Sequence, residues 1–233
     1  MSVLLSVEDL TVAYGKIRAV DGVSLVVPRG SVVALLGPNG AGKSSLLRAI
    51  AGLAPREGRI VLGGEPIHDL PAHAIARRGL CSIPEGRGVF GALTVAENLR
   101  MASTDDRDWT ARVVEAFPIL GERMGQQAAT LSGGEQQMLA LARAVASEAP
   151  LVTIDEPSLG LAPKMVGAIY AAIRRMRERH RTVLLVEQYA AQALPVADLV
   201  AVMAHGRIEF FGEPGELAYA PPLVEQYLGR ITA

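Results

Sequence analysis

The chain has 233 residues, 50% of them hydrophobic, with 23 basic and 24 acidic side chains and a formal charge of -1. That length supports one substantial core, and the balance excludes intrinsic disorder and a basic nucleic-acid-binding surface, so no nucleic acid is expected as a partner. The one cysteine, Cys81, excludes an intramolecular disulfide framework and points to a cytoplasmic location.

In chain order, the start carries Glu8 and Asp9 with no basic stretch before its apolar residues, and is not expected to be a signal peptide. Residues 3–27 are rich in β-branched side chains, with turn residues at Gly15 and Asp21-Gly22, and predict an antiparallel arm. Apolar runs of strand length follow at 31–37, 79–85, 151–156, 182–187 and 199–204, each reading as a parallel strand buried on both faces. Residues 207–214 predict one further short strand. Cys81 next to Ile83 reads as a small core residue.

Helices are predicted after Gly42, after Thr94, after Ser132 and over Met165, Ile169, Ile173 and Met176, whose spacing makes one apolar stripe. Between residues 86 and 146 the strand signal gives way to helical patterns, which predicts a helical lobe inserted in an α/β core. Arg174, Arg175, Arg177, Arg179 and Arg181 close the last helix and read as a solvated face complementing its dipole. His68, His73, His180 and His205 have no metal-ligand spacing. The longest apolar runs fall short of the ~18 residues of a membrane-spanning helix.

Three segments carry chemistry. GPNGAGKSS at 37–45 matches G-x-x-x-x-G-K-[ST] and lies between a strand and a helix, as a phosphate loop must. Gly37, Gly40 and Gly42 permit backbone turns that aim N–H groups at phosphate oxygens, with Pro38, Asn39, Ala41 and Ser45 completing the candidate contacts. Lys43 supplies a charge to the β and γ phosphates and Ser44 a hydroxyl for Mg²⁺. LVTIDE at 151–156 ends in two acids where an open α/β sheet faces its ligand crevice. Asp155 suits the metal and Glu156 suits a general base acting on water. In LSGGEQQ at 131–137, Ser132 and Glu135 form a capping box, and Gly133 and Gly134 leave the helix N-terminus open to an anion.

With GPNGAGKS, LSGGEQQ and LVTIDEPSLGL in this order, the chain resembles the nucleotide-binding subunit of an ATP-binding-cassette (ABC) transporter. The resemblance implies a P-loop NTPase (RecA-like) core with an antiparallel β arm and an inserted helical lobe, as one domain over 3–230. Within it the arm is expected at 3–30, the core at 31–85 and 147–211, the lobe at 86–146 and a C-terminal segment at 212–233. It also implies a head-to-tail dimer, with ATP and Mg²⁺ between one chain's Lys43 loop and the partner's Ser132, Gly133 and Gly134. Tyr14 matches the residue that stacks on adenine, and residues 158–161 match the loop linking the two active sites.

Two positions depart from the family pattern. Glu85, in IPEGR at 83–87, stands where most members have a metal-binding glutamine, and a carboxylate keeps that capacity. Gln188, in VEQY at 186–189, stands where most have a histidine on the γ phosphate; its amide donates a hydrogen bond but takes up no proton. PEGRGVF, DEPSLGLAP and LVEQYAAQAL are similar to one ATPase subunit of bacterial branched-chain amino-acid importers, whose relatives serve urea or short-chain amides. The implied partners are a second, non-identical ATPase, with a homodimer as the alternative, two permease chains and an external binding protein, at the inner face of the membrane. A nucleotide-gated module with weak hydrolysis is the reading from another class. Val89, Phe90 and Leu93, ahead of a second capping box from Thr94 to Glu97, either receive a permease helix or fill the lobe's own core.

Overall fold

The computed structural model describes residues 2–86, 88–103 and 109–219. Its centre is a six-stranded sheet of β3 (Val32–Leu36), β6 (Leu80–Ile83), β7 (Leu151–Asp155), β8 (Thr182–Glu187), β9 (Leu199–Ala204) and β10 (Arg207–Gly212), in the order β10-β9-β3-β8-β7-β6. All neighbours are parallel except β10, which runs antiparallel to β9. Every residue of β3, β7 and β8 is buried, as expected for strands covered on both faces.

Strand alternation divides these side chains between two cores. Val33, Leu35 and Leu184 pack with α1 (Lys43–Ile50), through Leu46 and Ile50, and with the antiparallel arm through Leu5, Leu10 and Val20. Val32, Ala34 and Leu36 face the other way, onto Ile169 and Ile173 of α7 (Pro163–Glu178). That second core continues into the lobe through Leu99 of α3 (Val95–Arg100), Val113 of α4 (Trp109–Ala116), Leu120 of α5 (Pro118–Gly121) and Leu139 of α6 (Gly133–Ala146). Two short helices, α2 (Ala72–Arg77) and α8 (Ala190–Ala193), complete the α/β connections.

The arm differs from expectation in two ways. Its hairpin of β1 (Val3–Tyr14) and β2 (Ile17–Pro28) turns only at Gly15, while Asp21 and Gly22 lie inside β2. Opposite them the register shifts between the Leu10–Val23 and Val12–Val20 pairs, and Asp9 and Gly22 both have positive φ. The residues that signalled a turn therefore make a bulge, which bends a continuous strand. The arm sheet is also wider than residues 3–30: β4 (Glu57–Leu62) pairs with β1, and β5 (Glu65–Pro66) pairs with β4. Only Ile60 and Leu62 of β4 are buried, so its one-sided pattern lacks the apolar run that marked the other strands.

The arginine run is not simply a solvated face. Arg179 pairs with Glu115 at 3.0 Å and Arg175 donates to the Glu115 carbonyl at 2.8 Å, both linking α7 to α4. Arg177 pairs with Asp198, and Arg181 donates to the carbonyls of Ser147 and Ala144 at the end of α6. Of the two readings of residues 89–93, the core takes Val89, while Phe90 is 46% exposed and lies 5.4 Å beneath the Arg143 guanidinium.

Candidate functional site

The loop after β3 and the first turn of α1 wrap a cavity of about 360 Å³ at the carboxyl end of the sheet. Asn39, Gly40, Ala41, Gly42, Lys43, Ser44, Ser45, Glu85 and Glu156 line it, together with Ala19 and Leu159. Two of the loop glycines are required by space. A Cβ on Gly37 would lie 2.1 Å from the Met203 carbonyl oxygen, and one on Gly42 would lie 2.2 Å from that of Ala19.

Lys43 is only 3% exposed. Its ammonium donates to the carbonyls of Gly37 at 2.9 Å and Pro38 at 3.1 Å, and lies 3.5 Å from the Glu156 carboxylate. Glu156 follows β7 with φ of 44°, a left-handed conformation uncommon for a side chain of this size. Its N–H donates to the Val186 carbonyl of the neighbouring strand at 3.0 Å, which secures that backbone. A phosphate loop, a buried lysine and a carboxylate held next to it thus meet at one point.

Asp155 is buried at the end of β7, and burial pushes its carboxyl up to about 6. A hydrogen bond with Ser44 works against that rise, while the charges of Glu156 and Glu85 add to it. Its Oδ1 is buried with no hydrogen-bond partner. Ser44, Asp155 and Glu85 offer oxygen donors only, with one buried carboxylate oxygen unsatisfied, a set that fits a hard divalent cation.

The remaining predicted residues lie outside this cavity. Tyr14 ends β1 across the hairpin from Ile17 and is 42% exposed. Gln188 follows β8, with its N–H donating to Glu187 Oε2 at 3.2 Å. Ser132, Gly133 and Gly134 open α6, where Ser132 and Glu135 form the predicted capping box. Glu135 is held below the usual carboxylate range by the Ser132 N–H, which donates to it at 2.8 Å. Ser132 is exposed and Gly133 half-buried, while Gly134 is buried under Met165.

Sequence reasoning missed Ala19, whose carbonyl closes against Gly42, and Glu187, which is fully buried beside the site. Ala19 carries no chemical signal. Glu187 was legible as an acid ending an otherwise apolar strand, a combination that calls for partners.

The chain belongs to the ABC transporter family: residues 20–159 match the family's profile. It is the ATP-binding, ATP-hydrolysing component of that class. Across 97% of its length it is 45% identical to the whole of the high-affinity branched-chain amino acid transport ATP-binding protein BraG of Pseudomonas aeruginosa. The probable branched-chain amino acid transport ATP-binding protein LivF of Archaeoglobus fulgidus is 37% identical, over 92% of this chain and 94% of that one. A solved ATP-binding subunit of an ABC transporter superposes with a TM-score of 0.84 at 30% identity, covering 94% of each chain.

Proposed function

We propose that this chain hydrolyses ATP to drive uptake of branched-chain amino acids, as a peripheral subunit on the cytoplasmic face of the membrane. Two permease chains, a second ATPase of related sequence and an external binding protein complete the assembly. Support comes from the 45% identity to BraG over 97% of the chain and from the PEGR and VEQ strings. Among the described residues no helix is long and apolar enough to cross a membrane, which suits a subunit that depends on others for the pathway.

The observation that carries the hydrolytic reading is the Lys43–Glu156 approach inside the phosphate-loop cavity. In this reading Lys43 exchanges the Gly37 and Pro38 carbonyls for β and γ phosphate oxygens, and the loop N–H groups hold the rest. Released from Lys43, the Glu156 carboxylate accepts a proton from the water that attacks the γ phosphorus, as the bond from that phosphorus to the β–γ bridging oxygen breaks and ADP leaves. Ser44, Asp155 and Glu85 would hold Mg²⁺, which when bound would neutralise charge on the phosphates. Tyr14 packs on the adenine, and Gln188 donates to the γ phosphate. Ser132, Gly133 and Gly134 serve the nucleotide on the other ATPase of the pair, since they stand apart from this chain's own cavity. The single domain over 3–230, with its lobe at 86–146, is the unit we assign to that work.

Glu156→Gln tests the base. It should lower turnover by ~10²-fold or more while ATP still binds, because general-base catalysis supplies about that factor. Unchanged turnover would remove Glu156 from that role. Affinity purification of the same variant with ATP from host membranes should recover permease chains and a second ATPase. Recovery of a soluble homodimer alone would count against the importer assignment.

A further inference from the structure

Glu187 closes β8, the strand between β3 and β7, and is 1% exposed. Three donors from three different elements converge on its carboxylate. Tyr170 Oη of α7 donates to Oε1 at 2.8 Å, the Ser158 N–H donates to the same oxygen at 3.3 Å, and the Gln188 N–H donates to Oε2 at 3.2 Å. All three donors are neutral groups, so it is dipoles that meet the charge. Burial pushes this carboxyl above its usual range, and the donated hydrogen bonds oppose that rise.

A buried carboxylate met in this way adds little to stability over an apolar residue of similar size. What it adds is geometry. One oxygen holds the loop that follows Glu156 and the other holds the backbone of Gln188. The Glu156 N–H to Val186 carbonyl bond joins the same two segments, two residues before Ser158 on one and one residue before Glu187 on the other. We propose that Glu187 is a positioning residue for ATP hydrolysis, fixing the 157–161 loop and Gln188 as one rigid unit so that Glu156 and the Gln188 amide keep a set separation. The inference rests on the hydrolytic reading above and extends it to a buried residue that does not line the phosphate-loop cavity.

Glu187→Gln is the decisive variant, because the two backbone donors use different oxygens. An amide presents one acceptor and one donor end, so either the Ser158 or the Gln188 anchor must be lost. Tyr170→Phe removes a donor but leaves both anchors. The full chain, purified with the subunits that accompany it, is compared in ATP turnover, thermal unfolding and hydrogen exchange of segments 156–161 and 187–189.

Glu187→Gln should lower kcat by ~10-fold or more with KM within about twofold, the pattern of misplaced catalytic groups rather than lost binding. Exchange should rise by about tenfold in at least one of the two segments, while Tyr170→Phe changes kcat and exchange by less than about twofold even where its Tm falls. Should Glu187→Gln not fold, Glu187→Thr is uncharged, too short to reach both N–H groups, and carries the same expectation. Wild-type kcat and exchange in these Glu187 variants would overturn the proposal, and so would equal losses in Tyr170→Phe. A wild-type assembly that hydrolyses no ATP would defeat the function proposed above instead, and the exchange comparison would still decide the role of Glu187.

Discussion

At the residue scale the phosphate loop shows what a motif states and what it omits. Three glycines stand in GPNGAGK, and the sequence treats them alike. Gly37 and Gly42 press against backbone carbonyls of Met203 and Ala19, whereas Gly40, at φ of +80°, faces open space. Gly40→Ala should therefore cost the fold only the left-handed conformational term, about 1–2 kcal/mol. Gly42→Ala meets a fixed carbonyl in addition, and should lose both several degrees of Tm and nucleotide affinity. Thermal unfolding with and without ATP separates the two, and equal losses would show that space is not what distinguishes them. Lys43 was legible from the phosphate-loop motif, and Asp155 and Glu156 as two acids ending an apolar strand at the ligand crevice. Ala19 was not, because it contributes a backbone carbonyl, and no side-chain pattern announces that.

At the element scale, α6 and α7 begin next to each other, and their contact is a glycine under a thioether. A Cβ on Gly134 would lie 1.9 Å from Met165 Sδ. The space that a side chain on Gly134 would take is filled by the start of α7, so the glycine is a packing requirement beside its place at the helix N-terminus. Gly134→Ala should be destabilising by about 1–3 kcal/mol through overpacking. Met165→Ala removes the obstruction, so the double variant should be more stable than the sum of the two single losses by about 0.5–3 kcal/mol, measured by urea unfolding. Strict additivity would mean that Met165 swings aside freely and that the glycine is not a packing requirement. The capping box of this helix was readable from Ser132 and Glu135, since its partners are three residues apart. The Gly134–Met165 contact joins residues far apart in the chain, and such pairings lie beyond local patterns. The same limit explains why Asp21 and Gly22 signalled a turn: only the partner strand, with Asp9 opposite, makes the bulge.

At the scale of the whole molecule, alternation in β3 explains how one sheet organises two cores. Side chains of Val33 and Leu35 meet the arm and α1, while those of Val32, Ala34 and Leu36 meet α7 and then, without interruption, the lobe. The α/β core was readable from apolar runs and the arm from β-branched residues, but the width of the arm was not, because β4 buries only two of its residues. Continuity of the second core carries a consequence for unfolding. Phe117, Leu120 and Leu139 of the lobe pack in the same cluster as Val152 and Ile154 of β7, and Arg175 and Arg179 tie α7 to Glu115 of α4. The lobe therefore has no separate core to retain when the sheet melts, and the sheet loses one face if the lobe opens. The chain contains one tryptophan, Trp109, which lies on α4 and packs against this shared cluster. Its fluorescence reports the lobe, while far-ultraviolet circular dichroism reports all elements together. In urea the two signals should trace one transition with a common midpoint, the behaviour of a single cooperative unit. Glu115→Ala should remove the Arg179 ion pair and move both midpoints down together. A tryptophan transition at lower urea than the dichroism, in the wild type or only in this variant, would show instead that the lobe is a unit of its own, joined to the sheet by weaker contacts than the continuous apolar cluster implies.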